Sequence, residues 1–193
     1  GAMRAGINCA LANRQVITHL ARHAFADVFP GADLRLLYDV SHNTCKVEEH
    51  AVDGRLTALY VHRKGATRAL GPGDPRLPER YRSTGQPVIA GGSMETGSWL
   101  LAGAPGARMT LETTVHGSGR CMSRGEAKRR FDGKALRRSL EQRGIAVRAA
   151  TSSGLAEEAG AAYKDIDAVA VVTERAGLCR RVARLVPIGC IKG

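Results

Sequence analysis

The chain has 193 residues, 29 Lys+Arg against 18 Asp+Glu, and a formal charge of +11. At 44% hydrophobic and 24% charged, its composition is that of a folded chain and excludes intrinsic disorder. No apolar run approaches the roughly 18–20 residues that span a bilayer, so the sequence predicts no membrane segment, and the cationic surplus points to a polyanionic partner.

In chain order, Gly1-Ala2-Met3 is read as an expression scar and set aside. Asn8 to Phe29 carries Ile17, Leu20, Ala21, Ala24 and Val28 at helical spacing and predicts a helix ended by Pro30-Gly31. Leu34 to Val40 reads as a buried strand. Val47 to Ala51 and Leu56 to His62 flank Asp53-Gly54, whose preference for positive φ predicts a hairpin. Gly65 to Thr84 reads as a loop. Pro87 to Ala90, Ser98 to Gly103 and Thr110 to His116 read as strands. Ser123 to Phe131, Lys134 to Arg143 and Asp165 to Arg175 read as helices, and Val182 to Ile191 as a final strand with Pro187 at an edge or bulge. Strands and helices alternate without a regular βαβ rhythm, so the expected class is α+β. Five scattered cysteines with no C-x-x-C argue against a disulfide framework or zinc module and favour a reducing cytoplasm.

Five segments carry candidate chemistry. His42-Asn43 follows a strand and offers an imidazole for a metal or an amide for a phosphate or base; a backbone-bonded histidine is the plainer reading. Val61 to Arg68 groups Arg63, Lys64 and Arg68 with small residues in one loop suited to phosphate oxygens, with a solvated charged loop as the alternative. Gly91-Gly92-Ser93-Met94, followed by Thr96 and Ser98, lets backbone N–H groups converge on an anion, or makes an ordinary turn. His116-Gly117-Ser118-Gly119-Arg120, then Arg124, sets a histidine beside backbone donors and guanidiniums, as attack on phosphorus requires; a tight turn with a structural histidine competes. Lys192 near the end offers one ammonium, or lies in a frayed tail. His19 and His23 read as a helix flank, and His50 as structural.

Taken together, Tyr38-Asp39-Val40-Ser41-His42-Asn43, His62 to Arg68, Gly92-Ser93-Met94, His116 to Arg120, Ala162 to Asp167 and Ile191-Lys192-Gly193 resemble the RtcB family of RNA-splicing ligases in wording and order. Asn13-Arg14-Gln15 and Gly154 to Ala159 fit the same family. The resemblance implies an α+β, GTP- and Mn²⁺-dependent ligase that joins RNA 3′-phosphate or 2′,3′-cyclic phosphate ends to 5′-hydroxyl ends through a guanylylated histidine. It implies that His116 forms the GMP adduct, with Gly117, Ser118 and Gly119 around its phosphate. His42 corresponds to a manganese ligand and Asn43 to a guanylate contact. Gly91, Gly92, Ser93, Met94 and Ser98 line the nucleotide, Tyr163 stacks on guanine and Lys192 contacts guanylate. Lys64, Arg120 and Arg124 are candidates for RNA phosphate.

Gly91 and Glu95 stand where the family wording has Pro and Gly, and Ser118 where it has Ala. Glu95 would set a carboxylate beside a phosphate unless it points away. The resemblance also implies a chain about twice this length, with an amino-terminal half bearing an Asp, a Cys, two His and a Gly-Asn-His motif. Residues 4–193 are therefore expected to be the carboxy-terminal portion of a ligase domain. The alternatives are a catalytically incomplete guanylate- or RNA-binding module, or one half of a split ligase.

Overall fold

The computed structural model describes residues 1–192, and Gly193 of the terminal Ile-Lys-Gly motif lies outside them. The chain divides into two compact units, Gly1–Lys64 and Gly65–Gly193.

In the first unit, α1 (Ala2–Val28) starts earlier than the predicted helix and takes in Ala2 and Met3. None of its residues is buried, so its apolar stripe of Ile17, Leu20 and Val28 is exposed. The predicted strand Leu34 to Val40 is a correction: the segment joins no ladder, and Leu36 and Leu37 are exposed. It is held through its ends, where Arg14 makes a bidentate pair with Asp39 at 2.9 and 3.1 Å and donates to Ser41 Oγ, and Arg22 donates to the Leu34 carbonyl. The hairpin forms as expected. Strands β1 (Asn43–Val52) and β2 (Arg55–Lys64) pair antiparallel around Asp53 (φ 49°) and Gly54 (φ 76°). Alternation buries Glu48, His50, Val61 and Arg63 on one face and leaves Val47 and Tyr60 exposed on the other. Arg63 grips both Glu48 oxygens at 2.8 and 2.7 Å, and His50 Nε2 lies 3.1 Å from Glu48 Oε2, so the buried carboxylate is neutralised.

The second unit is built on a three-stranded antiparallel sheet, β4 (Pro87–Gly91), β5 (Ser98–Gly103) and β8 (Cys179–Leu185), in the order β4-β5-β8. The predicted loop Gly65 to Thr84 contains a short strand, β3 (Ala66–Arg68), and a helical turn, α2 (Glu79–Arg82). β3 pairs with β6 (Thr113–Val115), which is shorter than the predicted Thr110 to His116 because a 3-10 turn fills Pro105–Thr110 and Leu111 and Glu112 take positive φ. Helices α3 (Arg124–Arg130), α4 (Gly133–Gln142) and α6 (Ile166–Arg175) fall where their periodicity and caps place them. Ser123, Asp132 and Asp165 each accept from a first-turn amide, at 3.1, 2.9 and 2.8 Å.

Three elements differ from the sequence reading. Strand β7 (Ala146–Ala149) and helix α5 (Ser152–Glu157), capped by Thr151, were not expected. The single strand expected over Val182 to Ile191 is two, because Val186 to Ile188, with Pro187 lacking an N–H, leaves the ladder. The second piece, β9 (Gly189–Lys192), runs parallel to β7 in another sheet.

Two apolar cores result. Val88, Ala90, Leu101, Ile166 and Ala170 pack the sheet against α6. Met94, Leu140, Ile145, Val147 and Leu155 pack α4, α5 and β7 together. Trp99 Nε1 donates to Asp167 at 2.7 Å and Arg184 pairs with the same carboxylate at 2.9 and 3.0 Å, joining β5, α6 and β8. Leu140 is fully buried in the second core. Leu140→Ala should lower unfolding free energy by about 2–5 kcal/mol, read from urea denaturation of parent and variant.

Candidate functional site

His116 leaves β6 half-buried and enters the loop His116–Gly119. That loop is fixed to the end of β4 by two backbone hydrogen bonds: Gly91 N donates to the His116 carbonyl at 3.0 Å, and Ser118 N donates to the Gly91 carbonyl at 2.8 Å. A side chain at Gly117 would put its Cβ 2.8 Å from the Gly91 oxygen, so only glycine fits this approach. Gly119 turns the chain at φ +75°. A Cβ built on Gly65 would lie 3.7 Å from His116 Nε2, so the imidazole passes close over the Gly65 backbone. The Ser118 hydroxyl is buried and has no hydrogen-bond partner among the described residues.

From Gly91 the chain turns back on itself. Gly92 N donates to the Gly97 carbonyl and Gly97 N to the Ser93 carbonyl, each at 3.0 Å. Ser93 N donates to Thr96 Oγ1, while Ser93 Oγ accepts from the amides of Glu95 and Thr96. This corrects the expectation of an anion-binding nest: the amides of Gly91, Gly92, Ser93, Glu95, Thr96 and Gly97 are already engaged within the protein. Glu95 points its carboxylate at the Gly160 amide, and its carbonyl accepts from Arg143 at 2.7 Å. Met94 sits in the second core, 7% exposed.

The outer side of this turn lines a pocket of about 290 Å³ with Gly92, Ser93, Ser98, Glu158 and Lys192. Glu158, at the end of α5, is the hub that sequence reasoning passed over. Its Oε2 accepts from the Tyr163 hydroxyl at 2.6 Å and from Lys192 Nζ at 3.4 Å, and Arg120 Nη1 lies 3.5 Å from Oε1. Burial alone would raise the Glu158 carboxyl, but the Tyr163 hydroxyl, the Lys192 ammonium and the Arg120 guanidinium outweigh it and hold the group below its ordinary value. Tyr163 is shifted up, by burial and by the Glu158 carboxylate. Arg120, expected at RNA phosphate, is engaged here: it donates to the Tyr163 hydroxyl (2.8 Å), the Glu157 carbonyl (2.6 Å) and the Met122 carbonyl (3.1 Å). Its guanidinium lies 4.7 Å over the Tyr163 ring and covers one face of it. Lys164 N to the Gly119 carbonyl and Cys121 N to the Ala162 carbonyl, both 2.9 Å, zip the histidine loop to the tyrosine segment. Within one unit the fold thus assembles His116, Ser118, the Gly91–Ser98 turn, Tyr163 and Lys192. Arg124 is exposed at the start of α3.

The remaining expected residues belong to the first unit. His42 and Asn43 are exposed at the entry to β1, and Asn43 is the register partner of Lys64 at the open end of the hairpin. Cys45 and His62 are the next pair on that face, with Sγ 3.2 Å from Nε2. His50 is structural, as read from the sequence. The His19 and His23 rings are 4.3 Å apart on α1.

Comparison with known proteins is specific. The profile of the family described as tRNA-splicing ligase RtcB matches residues 1–193, and the chain belongs to this family. It is 50% identical over 192 residues to an RNA-splicing ligase RtcB of Mycobacterium tuberculosis, covering 100% of this chain and 44% of that protein. It is 49% identical over 197 residues to a tRNA-splicing ligase RtcB of Thermococcus kodakarensis, covering 41% of it, and 50% identical over 198 residues to one of Pyrococcus horikoshii, covering 23%. The chain thus spans less than half the length of these relatives. No helix among the described residues is long and apolar enough to cross a membrane.

Because the folded-state pKa of Glu158 lies below its ordinary value of 4.5, its ionised form stabilises the fold at neutral pH. That contribution is lost as pH falls below about 4.5 and through the lowered folded value. Glu158→Gln should therefore melt below the parent at pH 7, and the gap should close as pH is lowered through that window, followed by thermal melts.

Proposed function

We propose that this chain carries the guanylate-accepting portion of an RNA ligase that joins 3′-phosphate or 2′,3′-cyclic phosphate ends to 5′-hydroxyl ends. The observation that carries the reading is the double hydrogen bond that fixes the His116 loop to Gly91. It sets the histidine and the orphaned Ser118 hydroxyl at one end of the turn whose other side lines the Glu158–Lys192 pocket. A buried hydroxyl without a partner is costly and is satisfied by a ligand oxygen. In this reading an imidazole nitrogen of His116 bonds to the α-phosphorus of GTP and pyrophosphate leaves. GMP then passes to the RNA 3′-phosphate, and attack by the 5′-hydroxyl releases it. Gly117 and Gly119 allow the close backbone approach, and Ser118 donates to a phosphoryl oxygen.

The pocket has the donors and acceptors a guanine edge needs. The base presents two N–H donors and one carbonyl acceptor. Glu158 supplies an acceptor and Lys192 a donor, and Tyr163, bonded to Glu158, is the stacking ring carried over from the family resemblance. Gly92, Ser93 and Ser98 form the wall, with Met94 behind it as support. Asn43 as a guanylate contact, and Lys64 and Arg124 as RNA-phosphate contacts, are carried over from the family resemblance.

Manganese stands differently. Of the ligands the resemblance implies, this chain supplies His42, and one imidazole with water does not make a manganese site, since Mn²⁺ is the weakest binder of the first-row series. The remaining ligands, on this reading, lie in sequence of the kind that makes the relatives longer, and residues 4–193 act as the carboxy-terminal portion of that catalytic unit. Five free cysteines accord with a cytoplasmic setting.

The test is label transfer from α-labelled GTP, with Mn²⁺ present, run beside equilibrium binding of GMP to the chain. Ligase chemistry predicts a covalent label that His116→Ala abolishes. GMP binding without label supports the binding-module or split-half alternative. An equal label on His116→Ala, or no GMP binding, overturns the assignment. Lys192→Ala is expected to weaken GMP binding by about 10-fold, the loss of one charge-assisted hydrogen bond.

A further inference from the structure

We propose that the outer surface of α3 and α4 is a docking track for the sugar-phosphate backbone of single-stranded RNA, outside the guanylate pocket. The proposal rests on the reading of this chain as part of an RNA ligase. Between Arg124 and Arg138 the sequence has seven cations (Arg124, Lys128, Arg129, Arg130, Lys134, Arg137, Arg138) and two acids, Glu126 and Asp132. Glu126 pairs with Arg130, and Asp132 caps α4. Lys128 reaches Glu157 at 2.7 Å. Arg129, Lys134 and Arg138 are exposed and make no ion pair among the described residues.

Arg82, Arg108 and Arg175 are also exposed in the second unit, but singly; what sets α3 and α4 apart is the density of seven cations within fifteen residues. Arg76 is held by Asp74 and Glu112, Arg120 by Glu158, Arg181 by Glu174 and Arg184 by Asp167. Helix stability does not account for the difference. A cation in the last turn of a helix is favoured by the helix dipole, and this covers Arg129. Lys134 stands in the first turn of α4, where the dipole opposes it, and Arg138 one turn later repels it at i, i+4. The inner face of α4, Gly133, Leu136 and Leu140, is directed into the second core, so Lys134 and Arg138 lie on the opposite side.

The position fits the function. Both helices pack on α5, the helix that ends at the Glu158 hub, and Arg143 just past α4 bonds the Glu95 carbonyl of the nucleotide turn. A strand whose 3′-phosphate reaches the pocket would continue over this surface. The contacts would be to phosphates, setting position and affinity without reading sequence.

The experiment is fluorescence anisotropy of a labelled, mixed-sequence single-stranded RNA ending in a 3′-phosphate, titrated with the chain across a salt series. Each phosphate contact contributes about 0.7 to the slope of log K against log salt for a single strand. Arg129→Gln, Lys134→Gln and Arg138→Gln combined should reduce the slope by about 2, and each alone by about 0.7. Glutamine keeps helix propensity, and unchanged melting confirms that the fold persists. The charge-matched control is Arg82→Gln, Arg108→Gln and Arg175→Gln, exposed residues on other segments of the same unit; it should leave the slope unchanged. An unaltered slope in the first triple variant, or equal losses in both, overturns the docking track while leaving the ligase reading intact. Absence of any RNA binding by the parent overturns that reading too.

Discussion

The second unit turns on two backbone hydrogen bonds of 2.8 and 3.0 Å between Gly91 and the His116–Ser118 loop. They link the end of the main sheet to a loop that would otherwise be free, and they need a glycine at 117 because any Cβ would strike the Gly91 oxygen. Everything at the site is positioned from this join. Downstream of Gly91 the turn closes on itself and presents one wall of the pocket. Downstream of Ser118 the chain pairs with the Ala162–Lys164 segment and brings Arg120 over Tyr163. The histidine is thus mounted on backbone geometry, and its neighbours are held by a polar cluster centred on one carboxylate.

That cluster shows how the molecule manages its cationic surplus. A carboxylate bonded by a tyrosine hydroxyl, a lysine and an arginine is a neutralising centre, and it fixes three side chains at once. The same device recurs at Asp167, which collects Trp99 and Arg184, and at Glu48, which collects Arg63 and His50. At Glu158 the acid orders two cations, Arg120 and Lys192, that would otherwise repel one another. On the α3–α4 surface, Arg129, Lys134 and Arg138 have no such acid among the described residues.

Local chemistry made much of the fold legible in advance. Asp53-Gly54 announced the hairpin because its turn demands positive φ, and the runs from Ser123, Lys134 and Asp165 read as helices and are helices. The failures were non-local. Leu34 to Val40 has the composition of a strand but joins no ladder among the described residues. Val182 to Ile191 reads as one strand, yet its second half is drawn to β7, more than 40 residues earlier in the sequence, across a proline that cannot join the ladder. At the site, His116 and its glycines were visible as a motif, and family resemblance named most of their companions. Glu158 was not singled out, because its role arises only when residues 120, 163 and 192 converge on it. The one local hint was an acidic pair, Glu157-Glu158, in a strongly basic chain. The amides of the Gly91–Thr96 turn looked available for an anion until the Ser93 and Thr96 side chains were seen to engage them.

The buried trio on the hairpin has a consequence for how this sequence can vary. Glu48, His50 and Arg63 occupy one face, and the pleat alternates with a period of two. A single inserted or deleted residue in either strand would carry the trio to the opposite side and leave apolar Val47 and exposed Tyr60 in its place. Nor can its members drift one at a time, since losing Arg63 strands a carboxylate in the interior. Positions 48 and 63 should therefore be inherited as a linked pair, exchanged together or not at all, and the hairpin's length should be among the most constrained dimensions of the chain.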